Sequence, residues 1–91
     1  MDKIILLGSG GHADACVDVI ELSNDFVIAG FIEKKEVQVQ STMGYPILGT
    51  DADLYEIFKK YNSAMIAVGQ IKSARVRVEL FRKLKSIGYK L

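Results

Sequence analysis

The chain has 91 residues, 49% of them hydrophobic and 25% charged, with eight Gly, one Pro and one Cys, an ordinary globular composition for one domain over 1–91 and too apolar for disorder. Twelve Lys/Arg against eleven Asp/Glu leave a net charge of +1; with a pI near 7.8 and no recognition motif, nucleic acid is not an expected partner. No apolar run approaches the roughly 18 residues that cross a bilayer, and a single cysteine, Cys16, excludes an internal disulfide or a cysteine-based zinc site.

Met1-Asp2-Lys3 leads straight into the apolar run Ile4-Ile5-Leu6-Leu7, without the pattern of a signal peptide, so a cytoplasmic chain is expected. That run stops at Gly8 and suits a strand buried on both faces of a parallel sheet. From His12 the period changes. Ala13, Cys16, Val17 and Ile20 share one helical face and Asp14, Asp18 and Glu21 the other, which predicts a helix over 12–23, stopped by Ser23-Asn24-Asp25. Cys16, on the apolar stripe, reads as a small core residue. Phe26-Val27-Ile28-Ala29-Gly30-Phe31-Ile32 is a second buried strand ending at Glu33.

Residues 33–46 are polar, carry the only proline, and read as a loop holding at most a short strand. Ile47-Leu48-Gly49 leads to Thr50, an expected N-cap with Asp51 and Asp53 in the first turn. Leu54, Ile57, Phe58 and Tyr61 then form the stripe of a second helix. Ala64-Met65-Ile66-Ala67-Val68 is a third buried strand, ending at Gly69. Ser73 opens a last helix, with Val76, Leu80, Leu84 and Ile87 inward and Gly88 placed to end it. Tyr89-Lys90-Leu91 reads as the start of another strand. The β-α-β-α-β-α order predicts an α/β fold: a small Rossmann-like three-layer domain around a short parallel sheet.

Gly8-Ser9-Gly10-Gly11-His12-Ala13 matches G-x-G-x-x-A, after a strand and at the opening of a helix. Gly8 permits the tight turn, Gly10 lets the backbone approach a phosphate, and Ala13 allows close helix–strand packing. The first N–H groups of the helix lack intrahelical acceptors and sit at its positive end, so the turn is a candidate anion site. Glu33 follows 20 residues after Ala13, where an acidic side chain commonly meets a nucleoside hydroxyl. Alternatively, the glycines serve only the sharp turn. His12, with no partner carboxylate in view, reads as a ligand contact or helix-start residue before it reads as a general base. Ligands of open parallel sheets bind outside the carboxyl ends of the strands. Gly69, Gln70, Lys72 and Arg75 fall on that same rim; Lys72 or Arg75 either reaches a phosphate or belongs to a solvated helix start. No catalytic or metal-ligating set is expected.

Charge is unevenly distributed. Residues 1–71 hold five Lys/Arg and ten Asp/Glu, whereas residues 72–91 hold seven and one. The basic end is expected to be the solvated side of the last helix, or alternatively a face for an anion or partner.

Four segments in order, Ile4 to Ala13, Gly30-Phe31-Ile32-Glu33, Gly44-Tyr45-Pro46-Ile47-Leu48-Gly49-Thr50 and Ala67-Val68-Gly69, resemble the N-terminal domain of PglD/NeuD-type sugar O- or N-acetyltransferases over the whole chain. The resemblance implies a domain that binds a nucleotide-linked sugar, typically UDP-linked, with the glycine turn and His12 facing phosphate and sugar. Residues after the second strand, Glu33 and Lys34, would meet the base. It also implies that acetyl-coenzyme A, the catalytic histidine and the homotrimer contacts belong to a following left-handed β-helix. On that reading this chain holds no cofactor and is not catalytic alone. The family usually has paired aspartates where Glu33-Lys34 stand, and Gly-Asp-Asn where Gly69-Gln70-Ile71 stand. Two alternatives remain: an NAD or dinucleotide-binding half-domain, and a non-catalytic interaction module docking through its basic last helix.

Overall fold

A computed structural model describes residues 2–8, 11–33, 41–42, 44–67 and 75–91, with backbone alone at 11–14, 41–42, 51 and 76. The elements are β1 (Asp2–Leu7), α1 (Gly11–Ser23), β2 (Phe26–Ile32), β3 (Ser41–Thr42), β4 (Tyr45–Gly49), a 3-10 turn (Asp51–Asp53), α2 (Leu54–Phe58), β5 (Ser63–Ile66) and α3 (Arg75–Ile87). The sheet order is β3-β4-β2-β1-β5. β4, β2, β1 and β5 are mutually parallel, and β3 runs antiparallel to β4.

The apolar runs become strands β1, β2 and β5, buried for a simple reason. Alternate residues of a strand point to opposite faces, and both faces here are covered. Ile4 and Leu6 of β1 pack with Ile28 and Phe31 of β2 and with Val17 and Ile20 of α1. Ile5 and Leu7 point the other way, onto Ile32, Ala64, Leu54 of α2 and Leu84 of α3. Helix α1 thus covers one face and α2 with α3 the other, the three layers expected. Cys16 packs half-buried against the α1 side.

The strand count differs from expectation. Tyr45–Gly49, read within and after a polar loop, is a full parallel strand beside β2, with Phe31 opposite Ile47. Its residues are half-buried or exposed, so it lacks the apolar run that marks the inner strands, and Pro46 further masks it. Two contacts hold it against the α1 layer: the Tyr45 hydroxyl donates to the Glu21 carboxylate, and its ring lies 6.4 Å from that of Phe31. The carboxylate partner raises the Tyr45 pKa by favouring the protonated hydroxyl.

Helix ends follow the sequence closely. Asn24, just past α1, takes φ 60°, the left-handed conformation that asparagine tolerates. At the end of α3, Gly88 takes φ 119°, and the N–H groups of Gly88 and Tyr89 both donate to the Leu84 carbonyl at 3.0 Å, a glycine-terminated cap. Tyr89 and Leu84 pack together behind it. Helix α2 is shorter than its apolar stripe, because its first turn is 3-10 and it closes at Lys59–Lys60, although Tyr61 N–H still reaches the Ile57 carbonyl. Val68 and Ser73, placed by sequence at a strand end and a helix start, lie outside the described residues. The expected start of a further strand is found: Lys90 pairs in parallel with Ser63.

Two predictions follow from packing. A Cβ on Gly30 would stand 2.6 Å from the Pro46 carbonyl oxygen and 2.7 Å from Leu48 Cγ, so Gly30→Ala forces β4 away from β2 and costs about 1–3 kcal/mol. A thermal melt checks it, and an unchanged midpoint would mean the strands are not this close. Tyr89, 2% exposed, donates its hydroxyl to the Leu54 carbonyl at 2.6 Å, and burial pushes its pKa up to about 12. Folding therefore resists its ionisation. Stability should hold below pH 10, then fall as pH rises from about 10 to 12, where the unfolded chain ionises first. Tyr89→Phe should flatten that fall and cost about 0.5–1.5 kcal/mol through loss of the buried hydrogen bond to the Leu54 carbonyl; denaturant melts across pH test both.

Candidate functional site

The carboxyl ends of the four parallel strands are laced together by backbone bonds that cross from strand to strand. Glu33 N–H donates to the Gly49 carbonyl (3.1 Å), Gly8 N–H to Ile32 (2.9 Å), and Ala67 N–H to Leu7 (2.8 Å). These bonds align Thr50, Glu33, Gly8 and Ala67 along one rim, in the order of the strands above them.

The rim has a break in its winding. After β1 the chain crosses to the α1 face and on to β2; after β5, on the other side of β1, it crosses to the opposite face and enters α3. The two neighbouring strands therefore send their helices to opposite sides. In open α/β sheets ligands bind at such a point, where neighbouring strands send their helices to opposite faces. Helix α1 begins at this rim, so its first N–H groups, which lack intrahelical acceptors, face it.

Gly8 ends β1 with φ 96°, a conformation that glycine adopts without strain. Gly11 is the first residue of α1 and His12 the second; the His12 side chain lies outside the description. Glu33 sits half-buried at the end of β2. Arg75 is the first residue of α3, exposed, with Nε 3.1 Å from Glu79 Oε1. Ser9, Gly10, Lys34, Gly69, Gln70 and Lys72 lie outside the described residues. The structure thus brings Gly8, the start of α1, Glu33 and the start of α3 to one rim.

One rim feature was not assigned to the site from sequence. Thr50 and Asp53 form a reciprocal cap: Asp53 Oδ2 accepts the Thr50 N–H at 2.8 Å, and the Thr50 hydroxyl accepts the Ala52 N–H at 3.2 Å. The Thr-x-x-Asp spacing signals such a cap, but only β4, itself missed, carries it to a place beside Glu33. Asp53 also explains the 3-10 turn. Its carboxylate is drawn back to Thr50 and fills the space beside Gly49, where a Cβ would stand 2.6 Å from Oδ2.

The chemistry on offer is anion and hydroxyl binding. Among the described residues no three His, Cys, Asp or Glu side chains gather as a metal site, and no helix is long and apolar enough to cross a membrane.

The family model of the PglD N-terminal domain matches residues 3–84. The chain belongs to this family. No curated protein matches it. Among solved structures, this PglD N-terminal domain is similar to perosamine N-acetyltransferase from Caulobacter crescentus, solved in complex with CoA and GDP-perosamine, with a TM-score of 0.82 and 22% identity over 100% of this chain. It is also similar to the acetyltransferase domain of PglB from Neisseria gonorrhoeae, in complex with acetyl coenzyme A, with a TM-score of 0.77 and 21% identity over 98% of this chain. The chain spans 41% of the length of either protein. At these identities the likeness establishes the PglD-type α/β fold.

The reciprocal cap can be tested directly. Asp53→Ala should cost about 0.5–2 kcal/mol and loosen the Thr50 amide in hydrogen exchange. An Asp53→Ala chain with unchanged melt and exchange would show that the rim beside Glu33 is ordered by other contacts.

Proposed function

We propose that this chain binds a nucleoside-diphosphate-linked sugar on the rim and orients it for acetylation by acetyl-coenzyme A, as part of a cytoplasmic sugar N- or O-acetyltransferase. The observation that carries the reading is the break in winding at the carboxyl ends of β1 and β5, the ligand-binding position of open α/β sheets, in a chain of the PglD N-terminal domain family. Neighbours of the same fold carry GDP-perosamine and CoA or acetyl coenzyme A, which supports both ligand classes.

In this reading the diphosphate lies on the glycine turn. The free N–H groups at the start of α1 donate to its oxygens, with Gly10 allowing the approach. Lys72 and Arg75 add charge-assisted contacts from the neighbouring strand's connection, with Gly69 and Gln70 lining the same edge. Glu33 accepts from a nucleoside hydroxyl, and Lys34 stands next to it on the base side. His12 contacts the sugar. The transfer moves an acetyl group from the thioester sulfur of coenzyme A to a sugar amine or hydroxyl, and releases the thiol. This chain contributes position rather than proton transfer: holding the acceptor in one orientation removes entropy from the barrier. Acetyl-coenzyme A, the catalytic base and any trimer contacts are assigned to polypeptide of the kind that makes up the rest of the longer relatives.

Calorimetric titration of the chain with UDP- and GDP-linked amino sugars should give weak, saturable binding, with a Kd of roughly 0.05–1 mM. Gly10→Val should abolish it while circular dichroism stays native, because a branched side chain occupies the phosphate's approach. His12→Ala should weaken the sugar nucleotide more than the free nucleoside diphosphate. Equal affinity of wild type and Gly10→Val would remove the phosphate from this turn. Tighter binding of NAD than of any sugar nucleotide would favour the dinucleotide alternative.

A further inference from the structure

The backbone bonds that cross the rim form one unbroken series. Ala67 N–H donates to the Leu7 carbonyl at 2.8 Å, and the N–H of that same peptide unit, on Gly8, donates to the Ile32 carbonyl at 2.9 Å. The next unit runs from the Ile32 carbonyl to Glu33 N–H, which donates to Gly49 at 3.1 Å. The Gly49–Thr50 unit closes the series, because Thr50 N–H donates to Asp53 Oδ2 at 2.8 Å. Four peptide units, one at the end of each parallel strand, are thus joined head to tail from β5 to β4 and finish on a carboxylate. The C=O and N–H of a trans peptide point in opposite directions, so the dipoles of this row add, with the positive end at Thr50. Hydrogen bonds in such a chain polarise one another, and a charged acceptor makes the terminal bond a strong one.

Gly8 N–H and Glu33 N–H are the inner donors of the row, and both residues belong to the candidate site. The weak member is β4. It pairs with β2 through Phe31 with Ile47 and Ile32 with Gly49, and its residues are half-buried or exposed. Its last rung at the rim, from Glu33 to Gly49, therefore lies where a strand end frays most easily. Asp53 holds that end twice, since the Thr50 hydroxyl also donates to Oδ2, at 3.3 Å. Gly49 makes room for the carboxylate: a Cβ there would stand 2.6 Å from Oδ2 and 3.1 Å from the Asp53 Cβ.

We propose that Asp53 is a positioning residue for the nucleotide site: its carboxylate anchors the row and so fixes the backbone of Glu33 and, one strand further, of Gly8, without touching the ligand. The consequence for binding rests on the reading of the rim as a sugar-nucleotide site, whereas the anchoring is a property of the unliganded chain. The sign of the effect on binding is distinctive. Asp53 is an anion on the rim that receives a diphosphate, so removing its charge alone would raise affinity. Removing the acceptor lets the row slacken and lowers affinity. Asp53→Asn removes only the charge, and Asp53→Ala removes both.

Nuclear magnetic resonance separates these effects, first as amide exchange in the unliganded chain and then by titration with UDP- and GDP-linked amino sugars. Ile4 and Ile28, on the same strands but away from the rim, report any change in overall stability. Asp53→Ala should speed exchange at Glu33 by about tenfold beyond any change at Ile4 and Ile28, and at Gly8 by a smaller factor. Gly49→Ala, which pushes the carboxylate off the Thr50 amide, should do the same with Asp53 still present. Asp53→Asn should keep the wild-type pattern. In the titration, Asp53→Ala and Gly49→Ala should raise the dissociation constant about threefold or more, while Asp53→Asn binds at least as tightly as wild type. Rim amides that speed up no more than Ile4 and Ile28, or a change confined to Thr50, would overturn the proposal, because Asp53 would then serve only the fold or only its own turn. Equal or tighter binding by Asp53→Ala would overturn it as well. A wild-type chain that binds no sugar nucleotide would instead remove the reading of the rim, and the exchange pattern would still decide whether Asp53 anchors the row.

Discussion

Everything in this molecule is referenced to four residues of β1. Ile4, Ile5, Leu6 and Leu7 are each 5% exposed or less, and they feed alternately into the two separate apolar clusters. A strand buried on both faces can take no polar residue, and the one-residue shift in its pairing with β2, between Ile4 and Ile5, is absorbed by an extra residue in β2, which puts Ile28 and Phe31 on the same face. Its carboxyl end inherits that rigidity. Leu7 receives the bond from Ala67, and Gly8 gives its own to Ile32. The turn that carries the candidate anion site is therefore mounted on the best-anchored backbone in the chain, as a site made of main-chain donors requires: backbone N–H groups cannot reposition as a side chain can.

The charges fall into place around this frame. Helix α3 turns Leu80, Leu84 and Ile87 to the core and leaves Arg77, Arg82, Lys83 and Lys85 exposed. Most of the basic end is thus the solvated side of an amphipathic helix. Arg75 differs by position, at the rim end of α3. Surface pairs such as Arg75 with Glu79 and Lys59 with Glu56, exposed on both sides, contribute little to stability. Stability rests on burial and on the few polar contacts that close helix ends, with Tyr89 joining α2 to the cap of α3.

The sequence made those parts legible where one physical signal dominated. Continuous apolar runs located β1, β2 and β5 because parallel strands covered on both faces have no polar side. The 3.6-residue stripes and the stops at Asn24 and Gly88 located α1 and α3. Strand β4 was not legible. It is half-exposed, contains Pro46, and exists because Gly30 has no side chain to keep it from β2, a long-range fact absent from its own residues. With β4 hidden, Thr50 and Asp53 could be read as a cap but not as neighbours of Glu33. For the candidate site, the places of Gly8 and Glu33 at strand ends were readable because spacing after an apolar run fixes them. The break in winding between β1 and β5 was not, since it depends on strand order.

Strand order also joins the two ends of β5. At its carboxyl end β5 reaches the rim through Ala67; at its start, Ser63 pairs with Lys90. Four residues at about 3.3 Å each separate these points, or roughly 13 Å along a strand. Lys90 is thus held to the same sheet as Gly8, at the opposite end of β5 from the rim. Lys90 and the candidate anion site are then set relative to one another by hydrogen-bond register rather than by a linker. Under the proposed function, in which the domain orients the acceptor for acetyl transfer, that distinction decides how much it can contribute. A flexible tether would only raise the local concentration of the acceptor, whereas a shared sheet fixes its direction of approach.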